Sequence, residues 1–397
     1  MAFDLKYICR KKKLSTSTGI KIYRHTSELP DNWDVLAGKN VFLTKSYLEI
    51  TKKSAPSNMC CFFIGFYEAD KLIGIAIAQY LDLLKLSSFG ERDQCVKTWL
   101  RNFVFRNLAS NVLILGNNML TGENGWAFDS SMAPGQQFDL LNQGMKMLVK
   151  TLKTEGIGIH IQLAKDFYFT EFNQESANHF KSFYQFYIQP NMVFTISEHW
   201  NDEADYVNAL QKKYRDQWKR ARKKSEHISR RALQLAEIQG HEQTLHELYF
   251  TVAKNAPFNT FFLNANHFAD LKENLGDAFC LYGYFENEKL VGFCTLIKNG
   301  EDIDTYFLGY NEEVQKRHML YLNMLYDMLA FSIKTKAKKL ILARTALEIK
   351  SSIGAKAIPM FGYIKHRNPI LNYFMNRIFT YMQPEIKWHE RHPFKDN

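Results

Sequence analysis

Apolar and polar positions follow the same layout in two distant stretches of the chain. Residues 65–74, GFYEADKLIG, align without a gap with residues 283–292, GYFENEKLVG. Five of the ten positions are identical: Gly65/Gly283, Glu68/Glu286, Lys71/Lys289, Leu72/Leu290 and Gly74/Gly292. Apolar runs flank each copy, CCFFIGFY and AFCLYGYF before it, LIGIAIAQYL and LVGFCTLI after it. The polar centres EADK and ENEK are turn sequences, so each copy predicts a β-hairpin. A strand follows in each half, at 111–116 and 303–310, then an amphipathic helix, at 135–156 and 314–337. In the second helix Leu322, Leu325, Tyr326, Leu329 and Ile333 recur at spacings of three and four, which is one helix face. Another strand closes each half, at 158–164 and 338–345. A repeat this far apart suits a duplicated domain rather than a solenoid. The expected fold class is α+β (α/β): two domains in tandem, 1–200 and 201–397, with mixed sheets flanked by helices.

Between the halves, Val207, Leu210, Tyr214, Trp218, Ala221, Ser225 and Ile228 form a narrow stripe at helical spacing. The pattern predicts one long helix over about 202–228 that opens the second domain. Its start carries Asp202, Glu203 and Asp205, where the helix dipole favours anions. Its remaining charge is basic. Residues 210–231 hold ten Lys and Arg against Asp216 and Glu226. The whole chain of 397 residues has a net charge of +10, so this segment and the basic run at 1–13 account for the excess. Such patches favour phosphate-bearing donors, nucleic acid or an anionic membrane surface. A solvated helix face is the structural alternative.

Composition is that of a soluble globular protein, with 46% hydrophobic and 14% aromatic residues, which excludes global disorder. The six cysteines show no CxxC spacing, and several sit in apolar runs, so small buried thiols in a reducing compartment are expected. No window reads as a signal peptide or a membrane span. The expected location is the cytoplasm, with peripheral contact at the inner membrane admitted. The stretch NPILNYFMNRIFTYMQPEIKWHER brings apolar and aromatic residues beside Arg377 and Lys387, a pattern that suits a membrane interface, an acyl channel or packing on its own domain.

The hairpin YFENEKLVGF followed by strand, helix and strand resembles the GNAT acyltransferase fold. The doubled arrangement resembles its FemAB-like branch, which includes the Fem aminoacyltransferases of peptidoglycan and the acyltransferase domains found beside 8-amino-7-oxononanoate-synthase-like enzymes. The segment ALQKKYRDQWKRARKK looks like the Lys/Arg-rich helix those domains carry, and LARTALEIKSSIGA, at 342–355, resembles their Gly/Ala-Arg-Thr segment. The resemblance implies two tandem GNAT-like (acyl-CoA N-acyltransferase) domains. It covers 200–370 well and 60–200 weakly. Ordinary GNAT enzymes cradle the CoA pyrophosphate in a Q/R-x-x-G-x-G/A loop at a helix start. Neither SMAPGQQFD nor YNEEVQKRHML contains it. Fem-like members also lack the loop, so the resemblance leaves the donor open among acyl-CoA, acyl carrier protein and aminoacyl-tRNA.

Acyl transfer to an amine needs a base, donors for the oxyanion and a proton for the leaving group. Glu348 lies past the predicted strand 338–345, between Arg344 and Lys350. It is the expected base, partly buried at the mouth of the gap where a GNAT-like sheet splays. Arg344 and Lys350 are expected to bind donor or substrate, and a structural ion pair is the alternative. His318, expected at the start of the second-half helix, is the rival base. Tyr310 and Tyr321 are candidate acids, although most of the 20 tyrosines belong in the core. Lys365 and His366 form a second polar cluster, and Lys213 and Arg215 stand on the basic helix as donor-binding candidates. No GxSxG and no Cys–His motif occurs, so direct transfer is expected rather than an acyl-enzyme. No metal-ligand spacing and no permanently bound cofactor is expected. The first-choice function is acyl transfer from acyl-CoA or acyl carrier protein to an amine, with a long-chain lipid or an amino-acid-derived amine as acceptor. Fem-type transfer from tRNA is the second choice, and ligand binding on a degenerate GNAT scaffold the third.

Overall fold

Both repeats form hairpins of one geometry. The structure, a computed structural model, describes residues 19–85, 108–255, 259–377 and 388–395. The basic run at 1–13, Cys9, Cys95 and residues 378–387 of the C-terminal apolar stretch lie outside them. The strands are β1 (Ile20–Tyr23), β2 (Met59–Glu68), β3 (Lys71–Asp82), β4 (Asn111–Leu115), β5 (Trp126–Phe128), β6 (Ile161–Tyr168) and β7 (Tyr184–Thr195). They continue with β8 (Ser229–Ala232), β9 (Phe279–Glu286), β10 (Lys289–Asn299), β11 (Asp302–Tyr310), β12 (Lys339–Ile341) and β13 (Lys356–His366). At the β2–β3 turn Ala69 and Asp70 have φ of 44° and 67°; at the β9–β10 turn Asn287 and Glu288 have 47° and 62°. Two successive left-handed residues make a type I′ turn, whose twist matches the strands it joins. Each hairpin also has a register shift one residue before its closing glycine, at Ile73 and Val291. The duplication therefore extends to turn type and bulge.

The chain makes two compact units. Unit 1 is Met1–Ile188, Thr260–Phe262 and Pro359–Glu385; unit 2 is Gln189–Asn259, Leu263–Ile358 and Ile386–Asn397. The strand order in unit 1 is β1-β2-β3-β4-β6-β13, with β5 on β3; among the described residues only β4 and β6 are parallel neighbours. In unit 2 it is β8-β9-β10-β11-β12-β7, and among the described residues only β11 and β12 are parallel. The two orders correspond strand for strand. The last place is exchanged: β13, from the second half of the sequence, pairs with β6, and β7, from the first half, pairs with β12.

In unit 1 the helix Pro134–Thr154 buries Phe138, Leu141, Met145, Leu148 and Leu152 against Phe62, Ile64 and Phe66 of β2. In unit 2 the helix Leu320–Lys334 buries Leu322, Leu325, Tyr326, Leu329 and Ile333 in one core with Leu296 and Leu340. The second face is the one the apolar spacing predicts. Two helices differ from expectation. The predicted helix over 314–337 is two, Glu312–His318 and Leu320–Lys334, because Met319 is left-handed at φ 51°. Asn323 compensates for the break: its Nδ2 donates to the carbonyls of His318 and Met319, each at 3.2 Å. The predicted helix over 202–228 splits into Glu203–Ala209 and Lys212–Lys224. There Leu210 forms a β-bridge with Phe394, and the Gln211 N–H donates to the Pro393 carbonyl at 2.8 Å. The C-terminal segment thus takes up backbone groups that a continuous helix would have bonded internally.

No helix among the described residues is long and apolar enough to cross a membrane. Cys61 and Cys294 are buried free thiols and Cys280 a half-buried one. Cys60 is disulfide-bonded, which departs from the expectation of unpaired thiols.

Candidate active site

The parallel contact between β11 and β12 lasts two residue pairs, Ile303 with Leu340 and Asp304 with Ile341. β12 then ends, while β11 continues to Tyr310, so the strands part there. Beside the gap β11 is bulged: Cys294 faces Leu308 but Leu296 faces Thr305, three steps of β11 against two of β10. The Thr295 hydroxyl donates to the Phe307 carbonyl at 2.5 Å within the bulge. Successive side chains of a regular strand point to opposite faces, and a bulge re-aims them. Here Tyr306 and Phe307 both meet the helices that cover the sheet. Tyr306 stacks on His267, with ring centroids 5.8 Å apart, and Phe307 meets Tyr249 edge-on at 5.5 Å. Residues 305–308 are only half-buried, whereas β10 is buried from Leu290 to Ile297.

His267 opens the helix His267–Leu275 and is 1% exposed. Its Nε2 lies 3.1 Å from the Tyr306 hydroxyl. With that nitrogen unprotonated, the Tyr306 O–H donates to it, and the pair forms a path for one proton. One turn on, the buried Asp270 accepts from Asn266 Nδ2 at 2.8 Å. The helix Glu242–Ala253 closes over the same strand. Its backbone comes so near Gly309 that a Cβ there would sit 2.4 Å from Leu248 C and Tyr249 N.

A cleft of about 270 Å³ lies at the end of β11, lined by Thr251, Val252, Asn255, Tyr310, Glu312, Gln315 and Lys316. This is the strand-to-helix turn where an ordinary GNAT enzyme would hold pyrophosphate. Its chemistry is unsuited to that. The Asn311 side chain accepts from the N–H groups of Glu313 and Val314, and the first turn carries the carboxylates Glu312 and Glu313. Those N–H groups are already bonded, and an incoming phosphate would face two like charges. Tyr310, expected as an acid, does line the cleft; burial, with Glu312 adding to it, pushes its hydroxyl pKa up.

The predicted strand 338–345 stops at Ile341, and the residues after it make a strained loop. Ala343, Thr345 and Ala346 all have positive φ, at 57°, 65° and 48°. Non-glycine residues are held there only by their surroundings. Lys350 is one such support: its Nζ donates to the carbonyls of Leu342 and Arg344, each at 2.6 Å. Lys350 is buried, and that burial pulls its pKa down to about 7. Arg344 is lowered to about 10 by the same cause. Glu348 is not the part-buried carboxylate between two cations that the sequence suggests. It is exposed on the short helix Leu347–Ser352 and pairs with Arg391.

The remaining candidates are dispersed. His318 ends a helix rather than starting one. Its Nδ1 donates to the Lys224 carbonyl at 2.6 Å, and its Nε2 lies 3.0 Å from Glu286, which also takes Arg317. These contacts tie the basic helix Lys212–Lys224 to the helix Glu312–His318. On the basic helix Lys213 is exposed, and Arg215 donates to the Leu210 carbonyl at 3.1 Å. Arg222 turns inward to Glu203 and Asp327, so part of the basic charge is structural. Tyr321 lies 6.1 Å from Tyr310, ring to ring. Lys365 and His366 belong to unit 1, where Lys365 Nζ donates to Ser182 Oγ at 3.0 Å.

Sequence reasoning passed over His267 and Tyr306. Neither sits in a motif, and a bulge leaves no mark on apolar spacing. The available signal was NANHFAD, a histidine at a helix start followed three residues later by an aspartate. Among the described residues unit 1 has no equivalent opening. β4 and β6 pair from Val112–Ile161 to Leu115–Ala164, and the loop after β4 is then tied to β6. Lys165 Nζ donates to the Asn117 and Leu120 carbonyls at 3.0 and 2.9 Å, and the Gly122 N–H donates to Asp166 at 3.2 Å.

No protein-family model and no curated protein sequence matches the chain. Among solved structures, the crystal structure of FemX is similar at 11% identity with a TM-score of 0.51, covering 87% of this chain and 98% of that one. L-PGS from Bacillus licheniformis, at 10% identity and TM-score 0.46, covers 85% and 96%. A tandem GNAT protein from the clavulanic acid biosynthesis pathway, at 8% identity and TM-score 0.46, covers 88% and 99%. The likeness to FemX is one of fold: two GNAT-like halves of mixed sheet flanked by helices.

Proposed function

We propose that the chain is an N-acyltransferase that moves an activated acyl group directly onto an amine, with transfer in unit 2 where β11 and β12 part. The observation that carries the reading is the bulge beside that gap, which sets Tyr306 against His267 within hydrogen-bond reach. In this reading the acyl carbonyl lies along β11. As the amine attacks, its proton passes to the half-buried Tyr306 oxygen while the Tyr306 O–H proton moves to His267 Nε2, and a proton then returns along the same pair to the departing group. The strained loop after β12, with Lys350 behind it and Arg344 in it, shapes the other wall. Glu348 is the competing base. No permanent cofactor enters; the donor is a co-substrate.

The capped, acidic turn at Asn311–Glu313 speaks against a CoA pyrophosphate in the usual place, so an acyl group on a carrier protein suits the site better than free acyl-CoA. A second reading, aminoacyl transfer from tRNA, rests on the basic helix. Lys212, Lys213, Lys219, Arg220, Lys223 and Lys224 are all exposed on it, and phosphate contacts are what tRNA binding mainly requires.

Thermal stabilisation of the full chain tests both, because a ligand that binds only the folded state raises Tm. Acyl carrier protein, acyl-CoA and aminoacyl-tRNA are compared, followed by turnover with a panel of amines. Stabilisation by tRNA that disappears in a K213E/K219E/K223E variant selects the second reading. No stabilisation and no turnover with any donor overturns acyl transfer. Turnover lost in E348Q but intact in H267A moves the base to Glu348.

A further inference from the structure

Unit 1 carries an exposed apolar face that its own core does not use. β13 leads through Asn368, whose side chain accepts from the N–H groups of Ile370 and Leu371, into the short helix Pro369–Tyr373. On it Ile370 is 68% and Tyr373 81% exposed, followed by Phe374 at 39%. Met375 points the other way and is buried. Three neighbouring large apolar side chains in water are costly without an occupant.

The surroundings are cationic. Arg377 lies over the Phe374 ring, 5.8 Å from its centroid. Asn372 and Lys365 both bond Ser182, which places the exposed Lys181 beside the helix. Lys146, exposed on the helix Pro134–Thr154, is near enough to Lys365 to lower its pKa further after burial. Arg367 is exposed one residue after β13. Among the described residues no carboxylate pairs with Lys146, Lys181, Lys365, Arg367 or Arg377.

From this face we infer that unit 1 docks on an anionic lipid surface. Ile370, Tyr373 and Phe374 enter the boundary between headgroups and acyl chains, and the cations around them meet the phosphates. Aromatic and aliphatic residues ringed by Lys and Arg have the composition of interfacial helices. An RNA partner would use the cations and aromatic rings but gain nothing from Ile370. The inference is independent of the acyl-transfer reading.

Co-sedimentation of the full chain with phosphatidylcholine vesicles, with and without phosphatidylglycerol, tests it. The protein should pellet with the anionic vesicles and release as salt rises. The I370S/Y373S/F374S variant should keep the wild-type Tm and bind at least about tenfold more weakly, since three interfacial anchors are lost. K146E/K181E should weaken binding to anionic vesicles only. Equal binding by wild type and the triple serine variant overturns the inference. So does binding lost on reversing Lys212, Lys219 and Lys223 alone, or a triple serine variant that loses tRNA binding but keeps vesicle binding.

Discussion

His267 and Tyr306 are 39 residues apart in sequence and share one hydrogen bond. Each has a separable test. H267A should lower turnover by about 10²–10⁴-fold, the usual worth of a positioned base, and Y306F by less. Circular dichroism should show both folded. Three other buried groups act on stability instead. Burial raises Asp304 to about 7 from the usual carboxylate range near 4. Between those values the folded chain holds a proton that the unfolded chain has released, so this contribution falls as pH rises from about 4 to about 7. Lys350, lowered to about 7 from 10.5, does the reverse: the unfolded chain keeps its proton longer, and stability rises from about 7 to about 10.5. His160 in unit 1, lowered to about 4 chiefly by burial and then by Arg367, adds a rise between about 4 and 6.5. Relative to wild type, Tm measured against pH should therefore climb more between about 4 and 7 in D304N, where the opposing rise from His160 is left alone, and climb less between about 7 and 10.5 in K350M, each by several degrees. A profile unchanged in either variant removes that group's role. The sequence showed that Arg344, Glu348 and Lys350 share a short segment beyond a strand. It could not show that Lys350 turns to backbone carbonyls and Glu348 to Arg391, because which way a short helix faces depends on the chain packed against it.

Elements were more legible than side chains. Hairpins, the succession of strand and helix along each half and the buried face of the second-half helix follow from apolar spacing, since burial enforces a period. What spacing hides is where a helix yields to a neighbour. Leu210 and Gln211 keep the helical stripe yet leave the helix, because the segment around Pro393 and Phe394 offers their backbone other partners. Gly309 is the converse case: one small residue lets a whole helix approach. G309A would drive a Cβ into the backbone of Leu248 and Tyr249. The helix Glu242–Ala253 must then move off β11, at a cost of about 1–3 kcal/mol. Denaturant unfolding measures that loss. A Tm equal to wild type would mean that the helix yields without cost.

At the scale of the whole chain, the exchanged strands decide what can stand alone. A fragment of residues 1–200 contains β6 but not β13, its neighbour in unit 1. It should aggregate or melt without cooperativity, and a fragment of 201–397, which lacks β7, should do the same; scanning calorimetry of each checks this. A sharp, reversible transition in either would show that the sixth strand is dispensable. The same exchange has a consequence in time. During synthesis Tyr168 of β6 is made long before Met360, the residue it will face. At about 5–20 residues per second the ribosome needs roughly 10–40 s to cover that distance. For that interval the nascent first half presents an open strand edge to everything around it. Its chance of finishing correctly then depends on what attends the ribosome, and production of this protein should respond to chaperone supply and to translation speed more than its final stability would suggest.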